Sequence, residues 1–154
     1  MPINEAKFIW MNGEFVDWWD AKIHILSHVI HYGSGVFEGI RCYKTEKGPE
    51  IFRLKDHLNR LINSAKIYRM EIPFSLEELR EATKELIRKN GLESAYIRPI
   101  VYRGYGTISP NPIGVPVEVS IIAFDLGRYL GDENVKKGID VMVSSWRKFA
   151  PDTL

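Results

Sequence analysis

The sequence predicts an α/β fold of the α+β type, a mixed, largely antiparallel sheet carrying two main helices. Three observations predict it. Asn12-Gly13 joins two aromatic-apolar runs, residues 8–11 and 15–18, and this dipeptide is the strongest short hairpin signal because both central positions of a type I′ turn need positive φ. Residues 55–68 and 75–91 carry apolar side chains at helical spacing. Residues 94–102 alternate like a strand, and residues 117–124 form a near-continuous apolar run, the mark of a strand buried on both faces.

Composition narrows the function classes. A chain of 154 residues is long enough for one ordinary domain with a real core. A net charge of +1 leaves no electrostatic footprint for nucleic acid or an acidic membrane. No apolar run approaches the length of a membrane span, and the N-terminus has no signal-peptide pattern. Cys42 is the one cysteine, which rules out an internal disulfide and a cysteine-built metal site and points to the cytoplasm.

In chain order, residues 17–26 read as irregular or a short strand after the hairpin. Two strands, 39–45 and 50–54, flank a turn at Glu46-Lys47-Gly48-Pro49. In the first helix Leu58, Leu61, Ile62 and Ala65 form the buried stripe. The second has a capping box of Ser75 and Glu78, a stripe of Leu76, Leu79, Ala82, Leu86 and Ile87, and Gly91 as its close. Residues 103–116 form a loop rich in Gly and Pro. Residues 1–125 thus make one small domain, 126–138 a linker, and 139–154 begin another strand with nothing left to cover it. Such an end fits the front part of a longer protein.

Residues 28–43 concentrate the chemistry: two histidines, a carboxylate, an arginine and several aromatics in one segment. Gly33 and Gly35 bracket Ser34 and mark a tight turn or a close approach to a ligand. Strand alternation places Tyr96 and Arg98 on one face, where a phenol beside a guanidinium suits a carboxylate; a solvated outer face with Arg98 in a surface ion pair fits the same pattern. Pro99 marks an edge or a bulge. Arg60 points away from its helix's apolar stripe, and its planar donor fork suits a phosphate, though a solvated helix arginine looks the same. His24, His28 and His31 lack the partner acid of a zinc motif and read as structural or turn-capping residues, with no metal.

Longer stretches carry a family resemblance. HYGSGVFEGIRCY (31–43), FRLKDHLNRLINSAKIYR (52–69) and SAYIRPIVYRGYG (94–106) resemble the branched-chain aminotransferases, members of the class IV (fold type IV) pyridoxal phosphate enzymes. FIWMNGEFVDWWDAKIHILSH (8–28) and GIDVMVSSWRKFAPDTL (138–154) extend the likeness over nearly the whole chain. The resemblance implies a two-domain enzyme about twice this length, working as at least a homodimer. This chain would be its small N-terminal domain, its linker and the first strand of its larger domain.

It further implies that Arg60 holds the phosphate of pyridoxal 5'-phosphate, and that Phe37, Tyr96 and Tyr129 line the substrate pocket. Arg98 would accept the side-chain carboxylate of glutamate, and Tyr32 would reach the neighbouring subunit's pocket. The reaction implied is amino transfer between leucine, isoleucine or valine and 2-oxoglutarate. The Schiff-base lysine would lie beyond Leu154, leaving this chain inactive alone. One departure is Pro110, in the loop 106–112, where a valine is common. The rivals are a D-amino acid aminotransferase or an aminodeoxychorismate lyase of the same fold, and a non-catalytic binding or assembly domain.

Overall fold

A computed structural model of the chain describes residues 4–127, 131–148 and 150. The hairpin forms as its dipeptide requires: β1 (Phe8–Met11) and β2 (Glu14–Asp17) are antiparallel, with φ of +48° at Asn12 and +101° at Gly13. Trp18–Asp20 is a single 3₁₀ turn, and the chain then runs irregularly to a short helix, α1 (His28–Tyr32). Gly33 closes that helix in the left-handed region at φ +62°, its N–H donating to the Val29 carbonyl.

Next come β3 (Gly35–Phe37), β4 (Ile40–Thr45) and β5 (Gly48–Ile51). The turn before β5 is only Glu46-Lys47, so Gly48 and Pro49, expected in the turn, begin the strand instead. The reason is position: β5 is an edge strand, where a missing proline N–H is tolerated. Two fourteen-residue helices, α2 (Leu54–Ile67) and α3 (Leu76–Lys89), lie either side of a short connection. The α3 capping box is complete, Glu78 N donating to Ser75 Oγ at 3.2 Å and Ser75 N to Glu78 Oε2 at 2.7 Å. Two long strands follow, β6 (Ala95–Arg103) and β7 (Val117–Phe124).

The strand order is β2-β1-β7-β6-β4-β5, with β3 also on β6, and every described pairing is antiparallel. Leu58, Leu61 and Ala65 of α2 and Leu79, Leu86 and Ile87 of α3 pack with Ile40, Cys42, Ile97, Val101, Val119 and Ile121 of the sheet. The two helices therefore cover one sheet face. Thr83 joins this core because its hydroxyl donates to the Leu79 carbonyl at 2.7 Å.

Strand β6 is central, not an edge, despite Pro99. β3 and β4 meet its one side in a single register, Phe37 opposite Ile100 and Ile40 opposite Ile97. Glu38 N donates to the Pro99 carbonyl at 3.0 Å, but Pro99 has no N–H to return. The ladder is interrupted there, and one run of chain becomes two short strands.

Beyond β7 the expected linker contains a helix, α4 (Gly131–Lys137), supported by a Lys137–Glu133 ion pair one turn apart. Residues 139–148 form no strand and are exposed, Val143 at 94%. An apolar strand needs a neighbour for its backbone groups and its side chains, and nothing described lies beside this one.

Candidate functional site

On β6, alternation sends Tyr96 and Arg98 to the sheet face away from α2 and α3. The β3–β6 register brings Phe37 to the same face. The Arg98 guanidinium carbon lies 4.5 Å from the Phe37 ring centroid and 5.3 Å from that of Tyr96, within cation–π range. Arg98 Nη2 donates to Tyr96 Oη at 2.8 Å. Because that oxygen acts as acceptor, the phenol proton stays available for a further oxygen. Tyr96 rests edge-on against Phe124, centroids 5.8 Å apart.

Gly39 makes this placement possible. A Cβ there would meet Tyr96 Oη at 2.6 Å, closer than atoms tolerate, so the hydroxyl occupies space that only glycine leaves. The result is an apolar ring, a guanidinium and a phenol on one open wall, able to receive a carboxylate beside an aliphatic group.

Arg60 lies on α2, exposed at 66%, as its position off the apolar stripe requires. It is not simply solvated. Its Nε and Nη2 each donate to an oxygen of Glu38 at 2.5 Å, and His57 Nδ1 pairs with Glu38 Oε2 at 3.0 Å. Glu38 itself is 5% exposed. Burial pushes its carboxyl pKa up, but hydrogen bonds from Arg60 and His57, together with their charges, outweigh that and hold it below its ordinary value. A cavity of about 360 Å³ opens beside this group, lined by Phe52, Arg53, Asp56, His57 and Arg60.

The other candidates fall elsewhere. Tyr32, on α1, donates its hydroxyl to the Ile108 carbonyl at 2.5 Å and stacks near His28, apart from the Phe37 cluster. Tyr129 lies outside the described residues. Each histidine of the first segment has a local partner: His24 Nδ1 accepts from Leu26 N, His28 Nδ1 meets Ser34 Oγ at 2.7 Å, and His31 Nε2 meets the Ile25 carbonyl. Among the described residues no group of three or more His, Cys, Asp or Glu side chains could hold a metal ion. No described helix is long and apolar enough to cross a membrane.

Two residues escaped the sequence reading. Glu38 had one signal, an acid inside the apolar run Val36 to Ile40. Arg103 is buried, its Nη1 donating to the Pro112 carbonyl at 2.7 Å and its Nη2 to those of Tyr68 and Arg69 at 3.2 and 3.0 Å. It ties the end of α2 to the glycine- and proline-rich loop. A larger cavity, about 620 Å³, lies between β5, α2 and α3, away from these residues; four of its five lining cations, Arg53, Arg80, Lys84 and Arg88, are paired with neighbouring acids.

Known proteins share this arrangement of chain. The branched-chain-amino-acid aminotransferase of Escherichia coli K12 is 52% identical over 155 residues, covering 100% of this chain and 50% of that protein. The crystal structure of the Escherichia coli branched-chain amino acid aminotransferase superposes with a TM-score of 0.93 over 97% of this chain and 50% of its own, at 52% identity. A branched-chain aminotransferase from the archaeon Thermoproteus uzoniensis, crystallised with norvaline, gives 0.77 over 81% and 42%, at 40% identity. The chain therefore spans about half the length of the relatives it matches. The family model for amino-transferase class IV matches residues 35–153, from the first strand of the aromatic wall onward. The chain belongs to the class IV aminotransferases.

Proposed function

We propose that the whole protein transfers the amino group between branched-chain L-amino acids (leucine, isoleucine and valine) and 2-oxoglutarate, using pyridoxal 5'-phosphate. One observation carries this reading: the Arg98 guanidinium packed between Phe37 and Tyr96 on an open sheet face. An aliphatic side chain would lie along the Phe37 ring. A glutamate or 2-oxoglutarate side chain would bring its carboxylate to Arg98, whose fork keeps N–H groups beyond the one used by Tyr96. The same wall thus serves both partners of the exchange. The branched-chain aminotransferases named above, 40–52% identical, support the choice of substrates.

The donor set also suits the cofactor's phosphate. Glu38 occupies Nε and Nη2 of Arg60, which leaves Nη1 on an exposed guanidinium beside a cavity, and arginine forks match phosphate geometry. When bound, pyridoxal phosphate would supply the electron sink that takes up and returns the amino group. Arg60 would hold that cofactor by its phosphate, and Phe37, Tyr96 and Tyr129 would bound the substrate side chain and keep water from it. Tyr32 would serve the pocket of a neighbouring subunit, in a cytoplasmic enzyme of at least two copies. Residues 1–125 would be the small domain, 126–138 the linker and 139–154 the start of the larger domain, with the reactive lysine outside this segment.

Steady-state rates of the full-length protein, with 2-oxoglutarate as acceptor, test the assignment. Leucine should be used well and D-alanine hardly at all; a preference for D-alanine would overturn it in favour of a D-amino acid aminotransferase. The present segment, mixed with pyridoxal phosphate and reduced with borohydride, should carry no stoichiometric lysine adduct.

A further inference from the structure

Arg60 is a long side chain on the exposed face of a helix, and such a group ordinarily samples many rotamers. Here it does not stand free. The Glu38 carboxylate takes Nε and Nη2 in a two-point grip, both at 2.5 Å, the arrangement that fixes a guanidinium in plane as well as in position. Glu38 is in turn held firmly. It is 5% exposed, its N–H donates to the Pro99 carbonyl, and its Oε2 also meets His57 Nδ1.

The tripeptide Phe37-Glu38-Gly39 joins the two halves of the site. Alternation sends the Phe37 ring to the open face beside Arg98, and the Glu38 carboxylate through the sheet to α2. Gly39 then leaves room for the Tyr96 hydroxyl. The interruption at Pro99 falls opposite this tripeptide, so the acid arises from a backbone pinned on both sides.

We propose that Glu38 is a positioning residue, whose buried carboxylate holds the Arg60 guanidinium in the orientation that receives the cofactor's phosphate while touching neither cofactor nor substrate. This rests on the reading of Arg60 given above. A guanidinium ordered beforehand loses less freedom when the anion arrives, and the affinity gained belongs to the phosphate alone. An opposing effect is the charge of Glu38, which partly neutralises Arg60 and would compete with a phosphate for its donors. The two effects have opposite signs in an affinity measurement.

The experiment uses the full-length protein stripped of cofactor, titrated with pyridoxal 5'-phosphate and separately with pyridoxal, which lacks the phosphate. In E38Q the amide cannot accept from both guanidinium nitrogens. Affinity for pyridoxal 5'-phosphate should fall by roughly tenfold, the effect of losing a charged hydrogen bond, and that for pyridoxal should not change. R60A should show the same selective loss, and the double variant should be no worse than R60A, because both act through one interaction. Should E38Q not fold, E38D, which keeps the charge but shortens the reach, takes its place with a smaller selective loss expected. Unchanged or tighter binding of pyridoxal 5'-phosphate by the Glu38 variant overturns the proposal while a loss in R60A leaves Arg60's role standing. Equal losses for both ligands assign Glu38 a structural role only, and overturn it too. If R60A itself binds pyridoxal 5'-phosphate normally, the reading of Arg60 fails and the proposal fails with it.

Discussion

In the proposed reaction Arg98 would serve two substrates with one side chain. Its guanidinium lies over an aromatic ring and donates to a phenol, so with an aliphatic substrate it would keep these partners. With a glutamate side chain it would gain a carboxylate. Replacing Arg98 by leucine should therefore lower kcat/KM for glutamate by about 10- to 100-fold, the worth of a charge-assisted hydrogen bond, while leucine changes by no more than about threefold. Steady-state kinetics with both amino acids check the split. Gly39→Ala acts differently, because its Cβ would sit 2.6 Å from Tyr96 Oη. The phenol must move, and KM for both amino acids should rise together.

Glu38 adds a pH dependence at the same scale. Its carboxyl is held below the ordinary value of 4.5, burial opposing and the Arg60 and His57 partners prevailing. A depressed carboxylate pKa gives stability that is present above that ordinary value and is lost as pH falls through the lower, folded one. Unfolding midpoints of wild type and E38Q should differ at neutral pH and converge at pH values below about 4.5. A gap that persisted undiminished at acid pH would contradict this.

At the level of elements, α3 carries its own instructions. The Ser75 and Glu78 cap and the apolar stripe all lie within the segment, and local hydrogen bonds enforce them. Ser75→Ala should cost about 1 kcal/mol, read as a lower Tm of the full-length protein at unchanged substrate affinity. Helix α2 is a contrast. It begins one residue earlier than its apolar spacing suggests, after Arg53 in the left-handed region at φ +49°, and has no side-chain cap. Tertiary packing of Leu54 and Leu58 into the core sets that start. Strand β6 shows the same override: its proline signalled an edge or bulge, yet the neighbouring chain accepts the missing bond by dividing into β3 and β4.

For the whole molecule, the sheet has one face under α2 and α3 and one that bears Phe37, Tyr96 and Arg98. Exposed apolar side chains also gather around α1 and the loop it touches, among them Ile25, Ile30, Tyr105, Ile108 and Ile113. Exposed apolar surface favours association, in keeping with the proposed dimer. Light scattering on the full-length protein should report at least two copies, and Ile30→Asp combined with Ile108→Asp should lower that number.

What the sequence by itself determined follows from short-range rules. Asn12-Gly13 specifies its turn through φ, Ser75 and Glu78 specify a helix start, and strand alternation puts Tyr96 and Arg98 on one face. The matching motifs 31–43, 52–69 and 94–106 marked the family. Only the tertiary structure decided the contacts between distant residues: the Glu38 grip on Arg60, 22 positions away, the stacking of Phe37 on Arg98, and the anchoring of Arg103 to four loop and helix-end carbonyls. Local backbone geometry repeats every few residues and leaves a pattern in the chain. A contact across the sheet depends on which register the strands adopt, and that is settled by the packing of the whole core.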